Sequence, residues 1–395
     1  MKNRVGSPVE GEDFFDRENE IASMWRALDG GNLLLLAPRR VGKTSLMKRL
    51  VHLAPGQGYQ ALYLTVEGAV DEADFVQRLY RAVAEHHPDQ VRRLLNRSTG
   101  GVLGSFLGRI KKVGAMGVSV ELDDEARRNW RDTIEALGAM LARLDSRWLL
   151  AIDELPLFTL KLLRADPSGE RAANFLHNLR ELRQNQPSLR WLLAGSIGLD
   201  TVTSRYNLAD AINDLRVTSL GPFAGPGAEA FLQSLATSYD MDLYEPVRQH
   251  LLQRLEWLLP YYLQLLFSEL LDRLAGDSRP PTVDDIDALF EGLLQPANKN
   301  YFDYWRQRLH EELGSPDDAI ATTVLSAACR EPAGASRTVL MGALSQHLQD
   351  PDQREQRLRY LLDILINDGY LLEADGRFRF RFPLLREYWA RRVAP

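Results

Sequence analysis

Cysteine is nearly absent from this chain of 395 residues, whose single thiol belongs to Cys329. One cysteine excludes an intrachain disulfide and a cysteine-rich zinc site. It is also typical of a reducing compartment, so we expect a cytoplasmic protein. No apolar run approaches the roughly 20 uncharged residues that span a bilayer. The N-terminal residues contain no apolar core of signal-peptide length, and we expect no membrane partner.

An excess of charge of one sign is also lacking. The chain has 48 lysines and arginines against 54 aspartates and glutamates, which gives a formal net charge of −6. Such a balance provides no general attraction to nucleic acid, so a nucleic-acid surface has to be a local patch. The length allows two or three domains, and the apolar fraction of 45% is that of an ordinary globular protein.

Short apolar runs alternate with helical patterns over roughly residues 10–220. Four of these runs have the length of a strand, and they are residues 33–37, 61–66, 148–152 and 191–194. Nearly continuous apolar runs that alternate with helices predict an α/β fold with a parallel sheet buried on both faces. A glycine-rich and partly basic segment at 97–122 interrupts this order. It is either a hairpin insertion or an amphipathic segment that contacts a membrane or a partner.

A phosphate-binding loop follows the first run, although its usual first glycine is missing. Residues 37–44 read APRRVGKT and fit the pattern G-x-x-x-x-G-K-[ST] at every position except the first. That glycine mainly serves the turn out of the strand, and an alanine fits there if φ is negative. Backbone N–H groups at a helix N-terminus, a lysine ammonium and a threonine hydroxyl bind nucleotide phosphates and Mg²⁺. The predicted binding residues are Pro38, Arg39, Arg40, Val41, Gly42, Lys43, Thr44 and Ser45.

Two acidic residues end the third apolar run. The sequence RWLLAIDEL places Asp153 and Glu154 directly after it. An aspartate at a strand end can hold Mg²⁺ beside Thr44, and the adjacent glutamate can polarise an attacking water. An acidic pair that stands alone more often only caps a strand. The phosphate loop upstream favours the catalytic interpretation, with Lys43 as a further catalytic residue.

Other polar residues are candidates for contact with the γ-phosphate. Ser196 follows the fourth run, and it either lies near the γ-phosphate, or lies in a turn or caps the next helix. An arginine can stabilise charge in the transition state of phosphoryl transfer. Arg205 is favoured over Arg180 and Arg216 for this role, and each of the three is otherwise a surface or structural arginine.

The second half of the chain has a helical pattern. Prolines and glycines at 219–230 indicate a domain boundary, and Thr282 followed by two aspartates is a favourable helix start. From about residue 316, three helix-like segments precede YLLEADGRFRFRF, which alternates on both sides of an Asp-Gly turn. Three helices followed by a hairpin are the order of a winged helix, and a final helix follows.

Three segments together resemble the archaeal-type ATPases of the STAND group of P-loop NTPases, which are related to AAA+ proteins. These segments are FFDRENEI, APRRVGKTSL and LLAIDELPLF. The resemblance continues through LLAGSIGL and the C-terminal hairpin, so it covers nearly the whole chain. It implies a five-stranded ASCE core at 1–220, a helical lid at 221–315 and a winged helix at 316–395.

The resemblance also implies binding residues. ATP and Mg²⁺ are implied at Lys43, Thr44, Asp153 and Glu154. The segment with Phe15 and Arg17 is implied to lie at the base and ribose, although Asp16 can instead cap a helix. Related ATPases often begin a lid helix with Gly-x-Pro, the proline lying against the adenine. Here Leu258-Leu259-Pro260 keeps Pro260 without the glycine, which implies an altered lid geometry.

The alternation in GRFRFRF places Arg377, Arg379 and Arg381 on one face of the predicted hairpin. Residues 353–395 contain nine arginines and six acidic residues, a local excess of positive charge. An arginine-rich face of this kind either contacts DNA, along the phosphates or in a minor groove, or pairs with acidic residues of the ATPase core and locks the molecule shut.

Three functions are compatible with these features. The first is a slow ATPase that acts as a regulatory switch, in which nucleotide controls lid and winged-helix packing and thereby binding of a protein partner. The second is a DNA-binding ATPase that resembles origin-recognition or transposition ATPases. The third is a nucleotide-binding interaction module with little turnover, and the presence of Glu154 argues against it.

Overall fold

The computed structural model describes residues 1–86, 88, 110–111, 121–143, 146–195, 199, 202–203, 206, 208–277 and 279–394. Contacts divide the chain into two compact units. The sheet unit comprises Arg17–Ala37 and Lys43–Leu220, and the helical unit comprises Met1–Asp16, Pro38–Gly42 and Gly221–Pro395. The chain therefore passes from one unit to the other on either side of Pro38–Gly42, within the predicted phosphate loop.

A parallel sheet of five strands forms the centre of the sheet unit. The strands of this unit are β1 Asn32–Leu36, β2 Tyr59–Thr65, β3 Ile110–Lys111, β4 Glu121–Leu122, β5 Arg147–Asp153, β6 Leu189–Gly195 and β7 Leu215–Ser219. The sheet has the order β2-β5-β6-β1-β7. Strands β1, β5 and β6 are buried along nearly their whole length because their sequences are almost continuously apolar. The α/β fold with a buried parallel sheet is confirmed.

The apolar faces of helices complete the core of the sheet unit. These helices are α1 Glu18–Gly30, α2 Lys43–Leu53, α3 Glu72–His86, α4 Asp124–Arg128, α5 Trp130–Ala142, α6 Leu155–Ala165 and α7 Glu170–Asn185. In α3, Phe75, Leu79 and Val83 are buried at helical spacing. Trp148 of β5 and Trp191 of β6 are fully buried in the same core. The helices thus fix the strand ends that carry the candidate catalytic residues.

Strand β7 was not among the four apolar runs of the sequence, and only the family resemblance implied a fifth strand. It pairs with β1 at the edge of the sheet. Arg216 and Val217 are exposed on it, so its sequence lacks the continuous apolar character of the central strands. Strands β3 and β4 pair antiparallel, as the hairpin interpretation of 97–122 requires. Most of that segment lies outside the described residues.

Helices dominate the helical unit, which also contains a small antiparallel sheet near its C-terminus. Its elements are α8 Gly225–Ser238, α9 Glu245–Leu255, α10 Pro260–Arg273, α11 Val283–Leu293, α12 Asn300–Leu313, α13 Asp317–Cys329, β8 Ala335–Ser336, α14 Arg337–Ala343, α15 Pro351–Asn367, β9 Leu371–Ala374, β10 Arg377–Phe380 and α16 Pro383–Arg392. The small sheet has the order β8-β10-β9. Among all described residues, no helix has the length and apolar character needed to cross a bilayer.

Local signals in the sequence explain where several of these helices begin. Thr282 forms a capping box at the start of α11, in which its hydroxyl accepts from the Asp285 N–H and the Asp285 carboxylate accepts from the Thr282 N–H. The predicted helix start is thus confirmed. Earlier in the chain, α9 ends at Leu255, and the next residue, Glu256, has a φ of +54°. Pro260 then occupies the first turn of α10, where its missing N–H costs nothing.

The Asp-Gly turn of the C-terminal hairpin is present between β9 and β10. Asp375 and Gly376 have φ values of +52° and +69°, the left-handed backbone that two-residue hairpin turns require. In β10, Phe378 and Phe380 are buried while Arg377 is exposed, so the predicted alternation is confirmed. Gly369, just before β9, has a φ of +83°, and a Cβ atom there would lie only 2.5 Å from the Trp257 ring.

Candidate functional site

A lysine and two carboxylates meet at one edge of the sheet. Lys43 opens α2, Asp153 ends β5, and Glu154 follows it with a left-handed φ of +62°. The Lys43 Nζ atom lies 2.8 Å from Asp153 Oδ1 and 2.8 Å from Glu154 Oε1. Lys43 and Asp153 are only 7% and 2% exposed. An ammonium that is removed from water here is stabilised only because it contacts both carboxylates at hydrogen-bonding distance.

The carboxylate of Asp153 is the centre of this cluster. Its Oδ2 accepts hydrogen bonds from Thr44 Oγ1 at 2.9 Å and from the Tyr63 hydroxyl at 3.0 Å. Its Oδ1 accepts from the Glu154 N–H at 3.0 Å in addition to the Lys43 contact. Four donors therefore fix both oxygens of one buried side chain. Such a group is held in a defined orientation.

Sequence reasoning did not identify Tyr63. It lies in β2, which pairs in parallel with β5 and so brings its hydroxyl to Asp153. Burial and the neighbouring Asp153 raise the pKa of Tyr63 well above its usual value, so the hydroxyl stays a donor at neutral pH. The only signal in the sequence was a hydroxyl-bearing side chain inside the apolar run ALYLTV. An aromatic residue in such a run is more often part of the core.

The oxygen donors of Thr44 and Asp153 suit Mg²⁺. This ion prefers hard oxygen ligands, and it is usually held by one or two protein groups together with phosphate oxygens and waters. Thr44 Oγ1 and Asp153 Oδ2 already lie 2.9 Å apart, so a hydroxyl and a carboxylate point to the same place. The structure therefore brings together the four residues that sequence reasoning assigned to ATP and Mg²⁺, namely Lys43, Thr44, Asp153 and Glu154.

The loop residues before Lys43 have two left-handed backbone positions. Arg40 has a φ of +68° and Gly42 a φ of +93°. A glycine adopts this conformation without cost, whereas an arginine must be held in it by its surroundings. Ala37 is not among the described residues with positive φ, so an alanine fits the turn out of β1. Pro38 and Arg39 are half-buried, and Val41 and Ser45 are buried.

Three residues implied for the base and ribose have defined surroundings of their own. Phe15 packs edge-to-face against the rings of Phe223 and Phe231 in the helical unit. Arg17 is buried in the sheet unit and its guanidinium lies 2.8 Å from Glu20 Oε1. Pro260 begins α10. Their contacts with a nucleotide stay predictions.

The alternative capping interpretation of this N-terminal segment is wrong. Helix α1 begins at Glu18, and its N-cap position is occupied by Arg17 in the left-handed conformation, without a side-chain capping bond. Asp16, the predicted cap, precedes that position and has a φ of +58°. A capping aspartate adopts an extended backbone at the N-cap itself, and Asp16 satisfies neither condition.

Two predicted residues, Ser196 and Arg205, lie outside the described part of the chain. The other two arginine candidates are in the sheet unit. Arg180 is half-buried on α7 and Arg216 is exposed on the edge strand β7. All four remain predictions for contacts with the γ-phosphate or the transition state.

The arginines of the C-terminal hairpin contact other residues of the helical unit. The Arg379 guanidinium lies 3.3 Å from Glu256 Oε2, at the break between α9 and α10. Arg381 lies over the ring of Trp257 at 5.7 Å, and burial lowers the pKa of its guanidinium. Arg377 Nη1 donates to the carbonyl of Gly334 at 3.0 Å. Of these described contacts only that of Arg379 is with an acid, and Glu256 belongs to the helical unit, so pairing with acids of the ATPase core and binding to DNA both stay predictions.

Comparisons with known proteins agree with this geometry. The AAA domain model matches residues 27–203, and no curated protein sequence matches the chain. The fold is similar to that of the Walker-type ATPase PABY2304 of Pyrococcus abyssi, at 18% identity over 99% of this chain and 100% of that one, with a TM-score of 0.66. It is also similar to the ORC2 protein of Aeropyrum pernix, at 14% identity over 98% of both chains, with a TM-score of 0.55. The AAA domain match lies within the sheet unit and its neighbouring residues, and the two structural matches show that the chain shares the P-loop NTPase fold.

Proposed function

We propose that this chain is a regulatory ATPase of the STAND type, which binds ATP, hydrolyses it slowly with Mg²⁺, and changes its binding of a protein partner with nucleotide state. The observation that carries the proposal is the bridge from Lys43 to both Asp153 and Glu154. A lysine on a phosphate loop, a metal-binding acid and an adjacent glutamate are the groups that phosphoryl transfer to water requires.

Each residue of the cluster has a distinct role in the proposal. The backbone N–H groups of 38–45 and the Lys43 ammonium bind the phosphates. Thr44 and Asp153 would hold Mg²⁺, which neutralises phosphate charge when it is bound. Glu154 accepts a proton from the attacking water. Its adjacent position in the chain keeps it within reach of the same phosphate.

The pairing of Lys43 with both acids also supports a switch. Phosphate oxygens compete with the two carboxylates for the Lys43 ammonium, so nucleotide binding replaces one set of ionic contacts by another. The Lys43–Glu154 contact of 2.8 Å has to open before Glu154 can act on water. The cluster thus has two arrangements, one with Lys43 paired to Glu154 and one with that contact open. A ligand that makes different contacts with two arrangements shifts the population between them.

We further propose that residues 221–315 are the lid and that 316–395 are a winged helix, following the core at 1–220. The order helix, strand, helix, helix and two-stranded hairpin supports the second assignment. Contacts of the hairpin with the lid segment, such as that between Arg379 and Glu256, supply bonds that a change of state can break. Breaking them would expose a surface for the partner.

Nucleotide binding tests the proposal first. Lys43→Ala should abolish binding of a fluorescent ATP analogue, because the site then presents the carboxylates of Asp153 and Glu154 to an anionic ligand without the charge of the lysine. Lys2→Ala removes the same charge from an exposed position and serves as the matched control. Tight binding by Lys43→Ala would contradict the assignment of the phosphate site.

Binding to DNA through Arg377, Arg379 and Arg381 is the alternative, and a charge swap distinguishes it from packing. Arg379→Glu should weaken hairpin packing, and the double variant Arg379→Glu with Glu256→Arg should restore it. Both partners are more than 40% exposed, so the pair contributes at most about 1 kcal/mol. Limited proteolysis of the hairpin reports packing. The DNA function would be favoured if Arg379→Glu loses retention on duplex DNA at low salt and the double variant does not regain it.

A further inference from the structure

Arg40 of the phosphate loop is enclosed by tyrosines of the helical unit. Its guanidinium carbon lies 3.8 Å from the ring centroid of Tyr261 and 3.7 Å from that of Tyr304. Nη1 lies 3.4 Å from the Tyr262 hydroxyl and 3.4 Å from the Tyr301 carbonyl. The Arg40 carbonyl accepts from the Tyr261 N–H at 3.4 Å. A planar cation between two aromatic faces is a strong arrangement for arginine and a poor one for lysine.

The pattern of the loop does not by itself require an arginine at this position. Position 40 is one of the unspecified positions of the phosphate-loop pattern. Arg40 nevertheless has a left-handed φ of +68°, which a non-glycine residue keeps only if its surroundings hold it there. The two tyrosine rings supply that constraint. Only Val41 and Gly42 separate Arg40 from Lys43. A constraint on the Arg40 backbone therefore also restricts the position of Lys43, the residue proposed to bind phosphate.

The tyrosines that enclose Arg40 belong to helices that also contact the C-terminal hairpin. Trp305 Nε1 donates to the Tyr262 hydroxyl at 3.1 Å, and the ring of Phe382 lies 4.3 Å from that of Tyr262. The Tyr370 hydroxyl, next to β9, donates to the Trp305 carbonyl at 2.6 Å. Aromatic contacts therefore continue from Tyr262 on α10 and Trp305 on α12 to Tyr370 and Phe382, which flank the hairpin at its open end.

We propose that Arg40 is a positioning residue that couples nucleotide at the phosphate loop to the packing of α10, α12 and the C-terminal hairpin. This inference rests on the proposed nucleotide binding at Lys43 and Thr44. When nucleotide binding changes the conformation of the loop backbone, it also changes the position of the Arg40 guanidinium between the rings of Tyr261 and Tyr304. Coupling of this kind is reciprocal, so removing the contacts between Arg40 and the two tyrosine rings must also weaken nucleotide binding.

Amide hydrogen exchange of the whole chain, with and without a non-hydrolysable ATP analogue, tests the coupling. In the unaltered chain, the analogue should change exchange in Asn300–Leu313 and in the hairpin of β9 and β10. Arg40→Lys keeps the charge and loses the planar stacking, and Tyr304→Leu removes one ring face. Both should bind the analogue about fivefold more weakly, since a part-buried cation–π contact is lost. Both should lose most of the distant exchange response.

Two controls separate coupling from general damage. Tyr304→Phe keeps the ring face and should retain the response, even if Tyr304→Leu folds poorly. Arg128→Lys makes the same substitution at an exposed position and should leave binding unchanged. A full exchange response in Arg40→Lys, with binding like that of the unaltered chain, would overturn the coupling alone. Failure of the unaltered chain to bind any nucleotide would overturn the coupling and the proposed function together.

Discussion

Replacing Glu154 by glutamine should raise the affinity for ATP while turnover is lost. Glu154 Oε1 contacts the Lys43 ammonium at 2.8 Å, and the two side chains are 15% and 8% exposed. That contact competes with the phosphates for Lys43. A glutamine oxygen still accepts from the ammonium but lacks the negative charge, and loss of the ion pair should weaken the contact by about 1 kcal/mol. Because Asp153 remains in place, this difference should appear as about fivefold tighter binding.

The assay is a titration with a fluorescent ATP analogue, followed by release of phosphate under single-turnover conditions. Glu154→Gln should hydrolyse ATP at least about 100-fold more slowly, which is the lower range for loss of a general base. Glu170→Gln makes the same change of charge at an exposed position on α7 and should alter neither quantity. Unchanged or weaker affinity would refute the competition for Lys43. Hydrolysis at the normal rate would refute Glu154 as the water-activating residue.

Three further predictions concern stability in denaturant titrations. Tyr63→Phe removes a hydroxyl from a buried carboxylate and should lower the free energy of unfolding by about 1.5 kcal/mol, and a change near zero would contradict this. Gly369→Ala, whose new Cβ meets Trp257, should cost more than about 2 kcal/mol, clearly more than Gly376→Ala, which has positive φ but open space. Hydrogen bonds from arginine and the capping box lower the pKa of Asp285, so its contribution is present above the unfolded pKa near 3.9 and is lost as pH falls further. Asp285→Asn should therefore destabilise the protein by about 1 kcal/mol at pH 7, and this loss should shrink as the pH falls below about 4.

Sequence periodicity predicted the central strands because their burial leaves little choice of residue. Runs such as those of β5 and β6 are apolar on both faces, so the pattern alone indicates a buried parallel strand. The edge strand β7 has one partner strand and tolerates Arg216 and an exposed Val217, which removes the signal. Local chemistry was equally informative at Thr282 and at the Asp375-Gly376 turn, where backbone geometry restricts the residue type.

Contacts between residues far apart in the chain were not predictable. Tyr63 meets Asp153 only because β2 lies beside β5 in a particular register, and no feature of either strand specifies that register from sequence alone. The acids after β5 were predicted, but the pairing of both with Lys43 was not. The partners of Arg40 lie more than 200 residues away on two different helices, so its role had no local signal.

The passage of the chain between its units at Pro38–Gly42 limits how far the protein is modular. A fragment that ends at Leu220 keeps all five strands of the parallel sheet but loses Tyr261 and Tyr304. Such a fragment would keep the complete phosphate-loop sequence, but Arg40 would lack the two tyrosine rings that it contacts. Exchange of the C-terminal half for that of another protein should therefore succeed only when the incoming helices also supply two aromatic rings for this arginine. In evolution, position 40 and these two tyrosines should change together.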